Sequence, residues 1–333
     1  MLIDDLLKQS SNSVAEGTYI INDVKLKPFA EKEGHFLTFT LQDKTGVIWG
    51  KIWDQAEKIA QHLKNDDVVT LIGRTNIYNS KTQIIVDKIK IAETYDLADL
   101  TVVSKTDPDV MFKELIEIMN SISDPILLSL WKLYLEDEKF ISAFKECPGG
   151  KGTVHHAYLY GLLEHELTVL KFLQSFRPFL SSLKINFDKV FMGGFLHDLG
   201  KLEAYSYKFS ISMTNIGRLH EHTTLGYYSF RKKVDELKIS EDKKQELIEE
   251  LGHIILSHHG AREQHSVIVP MTLEAKLVAF GDALDSSIAY MSQQIESNAD
   301  ETGWIFDSLM DQYFYRKPET EPKPIIRRKQ SKV

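Results

Sequence analysis

The chain has 333 residues and a formal net charge of −8, long enough for two or three proper cores and too acidic overall for a surface coated in basic charge against duplex DNA. Its single cysteine, Cys147, excludes a disulfide framework and a cysteine-built zinc site, which suits a reducing cytoplasm. The acidic start, Met1-Leu2-Ile3-Asp4-Asp5, is no basic leader, and no apolar run is long enough to cross a bilayer, so no membrane partner is expected.

Residues 1–14 form a short leading segment, and a period near 2 then marks a first domain over 15–95. Strands are expected over 19–26, 35–42, 47–53, 68–78 and 82–91, with a turn over 31–34 and a short helix over 55–63. Asp43-Lys44-Thr45-Gly46 is a tight turn in which Gly46 suits a positive φ, and Asn79-Ser80-Lys81 turns the last hairpin. Five strands with a helix between the third and fourth is the order of an OB-fold barrel. Alternation sends Leu37, Phe39, Leu41, Ile48 and Ile52 inward, and Phe36, Thr38, Thr40, Trp49, Lys51 and Trp53 outward. Rings beside an ammonium group suit a nucleic-acid single strand, because bases stack and phosphates find a cation; Tyr78 joins this candidate face. The alternative is that these aromatics pack against the next domain.

Helical spacing replaces alternation after residue 91. A helical connector over 96–150 starts at Thr106-Asp107-Pro108-Asp109, restarts at Asp124-Pro125, adds a short helix over 137–144 and ends at Cys147-Pro148-Gly149-Gly150; no chemistry is assigned to it. An all-α region follows over 151–312, and the tail over 313–333 is Pro-rich and basic, with Arg327-Arg328-Lys329, and expected to be disordered. The fold class is therefore α+β and multidomain: an N-terminal all-β barrel, a helical connector and a C-terminal helical domain.

The helical domain holds most of the twelve histidines. His165 lies on a helix running from Gly161 to about Phe176, whose apolar stripe includes Leu162, Leu163, Val169, Leu170 and Leu173. Phe195-Leu196-His197-Asp198-Leu199-Gly200-Lys201 ends the next helix, with Gly200 as its stop. Gly217-Arg218-Leu219-His220-Glu221-His222 leads into another, Leu256-Ser257-His258-His259-Gly260 closes a fourth, and Asp282 and Asp285 lie on a last helix over 275–291. A buried His-Asp pair needs a partner. A divalent metal is the simplest one, since imidazole nitrogen with carboxylate oxygen suits Mn, Fe, Co or Zn.

The ordered series His, His-Asp, His, His-His, Asp, each on its own helix or helix end, resembles the HD-domain superfamily of metal-dependent phosphohydrolases. Together with Leu41-Gln42-Asp43-Lys44-Thr45-Gly46, Lys51-Ile52-Trp53-Asp54, His155-His156 and Gly161-Leu162-Leu163-Glu164-His165, it resembles the YhaM family, bacterial 3′→5′ exoribonucleases with an OB-fold before an HD domain. The resemblance covers roughly residues 15–295. It implies that His165, His197, Asp198 and Asp282 hold one metal, and that Asp198 bridges to a second held by His222, His258 and His259. One or two ions are expected, manganese first, ahead of iron, cobalt, zinc or magnesium. His220 and His253 fall outside the motif, Asp285 is expected to support a ligand, and His155 and His156 could serve substrate contact or packing. The resemblance also favours a homo-oligomer.

Such an ion acidifies water, and a pair about 3.5–4 Å apart stabilises both oxygens of a displacement. Asp198 and Lys201 are the catalytic candidates; Lys201 could reach a phosphate or merely favour a helix end. Arg218 and Arg262 are further nucleic-acid candidates. The leading expectation is hydrolysis of single-stranded RNA from the 3′ end, with single-stranded DNA as a second substrate. The alternatives are a nucleotide or cyclic-nucleotide phosphohydrolase with a regulatory barrel, and a catalytically silent single-strand-binding adaptor.

Overall fold

The computed structural model describes all residues except 31, 80, 153–154, 265, 299–302 and 318–333. Glu31 of the first expected turn, Ser80 of the hairpin turn, Val154 and the basic cluster Arg327-Arg328-Lys329 lie outside the described residues.

A short helix α1 (Ile3–Leu7) precedes β1 (Val14–Pro28), β2 (His35–Asp43), β3 (Gly46–Ile52), helix α2 (Ala56–Ala60), β4 (Asp67–Tyr78) and β5 (Lys81–Ile91). The strands close a barrel in the order β1-β2-β3-β5-β4. Only β3 and β5 run parallel, with Trp49 opposite Gln83 and Lys51 opposite Ile85. The β2–β3 register pairs Leu37 with Ile52 and Leu41 with Ile48, and the inward set expected from alternation fills the barrel. Ile3 and Leu6 of α1 plug one end of it, a helix that five residues without a capping side chain gave no reason to expect. The Asp43 turn also departs from expectation. Gly46 lacks a positive φ; instead the Asp43 carboxylate accepts from Thr45 N and Oγ1 at 2.7 and 2.6 Å and holds the turn without it. Gly34, at φ 100°, is the turn glycine that needs the left-handed region.

Helices α3 (Leu97–Leu100), α4 (Pro108–Met119), α5 (Pro125–Leu135) and α6 (Glu138–Glu146) follow. Asp107 and Asp124 cap α4 and α5 just before a proline, as the sequence signals require. The connector is core as well as link. Its side chains share one core with α7 (Gly161–Phe176) and α8 (Phe187–Leu196), with Trp131 and Phe144 edge-on to Phe195 at 4.9 and 5.7 Å. Helix α9 (Lys201–Ala204), the hairpin β6 (Tyr205–Ser206) and β7 (Ser212–Met213), α10 (Asn215–Asp235), α11 (Glu241–Ser257) and α12 (Leu273–Ser297) complete the bundle.

Two features correct the sequence reading. Gly200 does not stop a helix: it is right-handed helical, and a Cβ there would lie 1.8 Å from the His222 carbonyl oxygen, so its role is to let α10 cross at contact. A last hairpin, β8 (Gly303–Asp307) with β9 (Gln312–Arg316), runs into the expected tail; its inner residues Ile305 and Phe314 are buried, Phe314 against Tyr290. Among the described residues no helix is long and apolar enough to cross a membrane.

Candidate metal centre

Three helices and two helix ends converge beside the bundle core. Helix α7 brings His165, the end of α8 brings His197 and Asp198, α11 ends at His258 and His259, and α12 carries Asp282. Helix α10 breaks at Glu221 (φ 59°, ψ 154°), and this break sets His222 on a new axis. His165, His197, Asp198, His258 and Asp282 are all at least nine-tenths buried.

The two oxygens of Asp198 divide the site. Asp198 Oδ2 lies 3.3 Å from His165 Nε2 and 3.4 Å from His197 Nε2, and Asp282 Oδ1 lies 3.4 Å from His165 Nε2. Asp198 Oδ1 lies 3.2 Å from His222 Nε2 and 3.5 Å from His258 Nε2. Among the described residues two groups with metal-ligand spacing flank Asp198: His165, His197 and Asp282 on one side, and Asp198 itself with His222, His258 and His259 on the other; a third, His156, His165 and Asp285, lies behind the first. All seven residues expected as ligands are thus brought together.

The far nitrogens explain how the rings are aimed. His197 Nδ1 donates to Gly194 O and His258 Nδ1 to Ile255 O, both at 2.7 Å. His165 Nδ1 donates to Asp285 Oδ2 at 2.7 Å. Carbonyls and ionised carboxylates only accept, so each ring carries hydrogen on Nδ1 and turns Nε2 inward. That is the tautomer a metal-binding imidazole needs. Two Nε2 pairs, His165 with His197 and His222 with His259, stand 3.2 Å apart. Asp198 Oδ1 and His258 Nε2 are buried with no hydrogen-bond partner. Unpaired buried polar atoms are costly, and a divalent cation among these nitrogens and oxygens satisfies them together, so the donor set fits such an ion.

Electrostatics agree with a site built for positive charge. Burial opposes ionisation of Asp198, yet Lys201 and the neighbouring imidazoles hold its carboxyl well below the ordinary range. Asp282 is likewise held low against its burial, chiefly by His165 and His197. Burial lowers His258, and burial with His258 and His222 beside it takes His259 down to about 3. Lys201 is buried; its ammonium lies 2.6 Å from Asp198 Oδ2 and also donates to Gly149 O. Its charge is therefore spent on fixing the Asp198 carboxylate.

Around the centre, Asp285, His155 and His156 are joined by Tyr158, Ser286 and Glu166, which carry no sequence signal. Asp285 Oδ2 also accepts from His156 Nε2 at 2.8 Å, and His156 Nδ1 meets Tyr158 Oη at 2.9 Å. His156 reaches Asp285 from a left-handed backbone, φ 52°, on a loop folded so tightly that a Cβ on Gly161 would lie 2.2 Å from the His156 carbonyl oxygen. Ser286 joins His155 Nε2 to Asp282 Oδ1, each at 3.0 Å. Glu166 is wholly buried 3.4 Å from His197 Nδ1, and burial pushes its carboxyl pKa up. Of the histidines set outside the motif, His253 accepts from Met271 N at 2.9 Å and His220 is exposed. A cavity of about 360 Å³, lined by His155, Asp198, Lys201, His222, His259 and Asp282, opens onto the centre.

On the barrel, Trp49, Lys51 and Tyr78 line a cavity of about 320 Å³ that also takes in Lys27 and Lys81. Lys51 Nζ sits 4.9 Å from the Tyr78 ring centroid and 5.6 Å from that of Trp53. Phe36 and Trp53 pack with Phe29, centroids 5.0–6.0 Å apart, so Trp53 stays within the barrel rather than bracing the next domain. Thr38 and Thr40 face outward but are covered, near Lys25 and Asp23 of β1. Arg218 and Arg262 are exposed and do not line the metal cavity.

Residues 21–92 match the family described as "OB-fold nucleic acid binding domain", and residues 162–287 the family described as "HD domain". Over 281 residues the chain is 28% identical to the 3′-5′ exoribonuclease YhaM of Geobacillus sp. (strain WCH70), an alignment spanning 84% of each chain. Among solved structures it is similar to the second OB-fold domain of replication protein A from Methanococcus maripaludis, at 22% identity and a TM-score of 0.22, over 26% of this chain and 89% of that one. A replication protein A heterotrimer bound to single-stranded DNA is similar at 13% identity and a TM-score of 0.20, over 25% of this chain and 59% of that one. The chain joins an OB-fold nucleic-acid-binding domain to an HD domain, and the resemblance carried by its motifs extends along most of its length.

Proposed function

We propose that this chain is a divalent-metal-dependent 3′→5′ exonuclease that shortens single-stranded RNA, with single-stranded DNA as a second substrate. One observation carries the reading: imidazoles whose Nδ1 hydrogens are committed elsewhere turn Nε2 onto both oxygens of one buried aspartate. A structural histidine cluster has no reason to leave Asp198 Oδ1 and His258 Nε2 unpaired. The nucleic-acid-binding barrel in the same chain, and the exoribonuclease it is similar to, point to a polymeric phosphodiester.

In this reading His165, His197, Asp198 and Asp282 would hold one ion, and Asp198, His222, His258 and His259 would hold a second, manganese first among the candidates. A bound ion supplies Lewis-acid charge to the phosphoryl group and acidifies water. The chain's own groups do the rest. Lys201 locks Asp198 in the conformation that serves both sides. The aromatic and lysine-lined face of the barrel grips the strand, and binding energy from those remote nucleotides positions the terminal phosphodiester.

The test is a single-stranded oligoribonucleotide labelled at its 5′ end, incubated with the full chain and Mn²⁺. A ladder shortening from the 3′ end by single nucleotides is expected, and a chelator stops it. Asp198→Asn removes at least about a thousandfold of the rate while leaving strand binding within twofold. Full cleavage by Asp198→Asn sinks the site assignment. Hydrolysis of a nucleotide panel without any ladder favours the nucleotide phosphohydrolase, and strand binding without hydrolysis the silent adaptor.

A further inference from the structure

We propose that the slot between α12 and the loop following His259 is the seat of the nucleobase attached to the phosphodiester being cut; the inference rests on the exonuclease reading. This slot is a second cavity, about 430 Å³, and it shares His259 and Ala283 with the cavity of the metal centre. A nucleotide whose phosphate lies at the centre therefore has an adjoining space on that side. The floor is made of small residues, Gly260, Ala279 and Ala283. The walls are Val269 and Pro270 from the loop and Phe280 from the helix. Small floor and apolar walls suit a flat ring with greasy faces.

Phe280 is 56% exposed and Val269 41%, large apolar groups left uncovered beside a highly polar centre. Phe176 braces the Phe280 ring at 5.9 Å, so the ring stands as a fixed stacking surface. The charge of the slot is equally selective. Among the described residues no carboxylate lines it, and the one charged side chain is Lys276, which suits a phosphate-bearing ligand and disfavours a cation. Among the described residues, apart from Lys276 and the His259 already committed to the centre, no side chain there can read a base edge. Stacking without edge contacts tolerates every base. The slot thus predicts an enzyme that requires a base and is indifferent to which one.

The experiment compares cleavage of oligoribonucleotides ending in a normal or an abasic 3′ unit, with Mn²⁺, by the full chain and by Phe280→Leu and Phe280→Trp. Wild type should prefer the base-bearing end by about tenfold in kcat/KM, the scale of one base on one ring. Phe280→Leu should collapse that preference to about onefold, and Phe280→Trp should restore it. A second measurement does not depend on cleavage: AMP and ribose 5-phosphate binding to the Mn²⁺-loaded chain. Phe280→Leu should weaken AMP about tenfold and leave ribose 5-phosphate unchanged, with Mn²⁺ affinity intact as the sign of a correctly folded centre. An unchanged AMP affinity, or equal loss on both ligands, overturns the slot. A wild-type chain that binds AMP through Phe280 yet cuts no oligonucleotide instead rejects the exonuclease reading and keeps the slot.

Discussion

Asp285 is the residue through which the outer shell of the centre acts. Burial opposes its charge, but hydrogen bonds from His156 and His165 hold its carboxyl far below the ordinary range, so it accepts from both rings. It fixes the His165 tautomer, and His156 in turn fixes Asp285. Such supporting groups typically contribute 10–100-fold to metal affinity. Asp285→Asn should therefore weaken Mn²⁺ binding, measured by calorimetry, by about 10–100-fold, and His156→Gln by a smaller factor in the same direction. If the two act in series, the double variant loses no more than Asp285→Asn alone; independent, multiplying losses would show that His156 only fills space. The sequence reading expects Asp285 to support a ligand, but not its pairing with His156. His156 and Asp285 lie 129 residues apart, and nothing in either neighbourhood says that they meet. Glu166, beside His165, reads as the polar member of an amphipathic helix and is instead wholly buried. The seven convergent residues were legible only through the resemblance that the ordered series His, His-Asp, His, His-His, Asp carries: His197, Asp198, His258 and His259 stand at helix ends, but His165 and Asp282 lie within α7 and α12, where one helix alone does not mark them.

Helix boundaries show the same division between local and non-local cause. Asp107-Pro108 and Asp124-Pro125 announce α4 and α5 because a cap and a fixed φ act within one turn. The break in α10 at Glu221 and the β8–β9 hairpin depend on what packs beside them, so pattern alone missed both. Asp137 is a local signal that also reaches across the fold. Its Oδ1 accepts from Phe140 N at 3.1 Å, capping α6, and Lys233 of α10 donates to its Oδ2 at 3.1 Å. Replacing a cap of this kind costs about 1 kcal/mol, which is the expected loss for Asp137→Ala in a urea melt at neutral pH. The dependence on acid has a definite sign. The Phe140 N–H, then Lys233, depress the folded pKa of Asp137 below that of the unfolded chain. The carboxylate's contribution is complete above the unfolded value of about 3.9 and disappears as pH falls through the folded one. Wild type and variant should converge in strongly acidic melts; a gap of constant size would mean that the loss is packing rather than charge.

Barrel and bundle have separate cores, yet one short segment ties them at the point where chemistry is proposed. Lys201, pinned to Asp198, begins α9, and the chain continues through β6 to Phe209. Phe209 is buried against Ile20, Val68 and Leu100, on the barrel side of the molecule. Gln42 Nε2 donates to its carbonyl, and Lys208 Nζ donates to Asp66 O, both at 3.4 Å. The strap thus joins the barrel to the helix that carries Lys201, between the proposed strand-binding face and the proposed metal centre. Holding two sites in fixed register raises the effective concentration of a strand bound at both, and a loose tether forfeits it. Phe209→Ala removes the anchor while leaving each core its own contacts. Hydrolysis of a dinucleotide, which is too short to use the barrel, should then proceed at the wild-type rate. The advantage of a twenty-nucleotide strand over the dinucleotide, read as the ratio of their kcat/KM values, should fall by about tenfold or more. The comparison is internal to each variant, so a general loss of stability lowers both substrates and leaves the ratio alone. A ratio equal to that of wild type would mean that the barrel delivers its strand without being held at a set angle, and that the coupling between the domains runs through the polynucleotide itself.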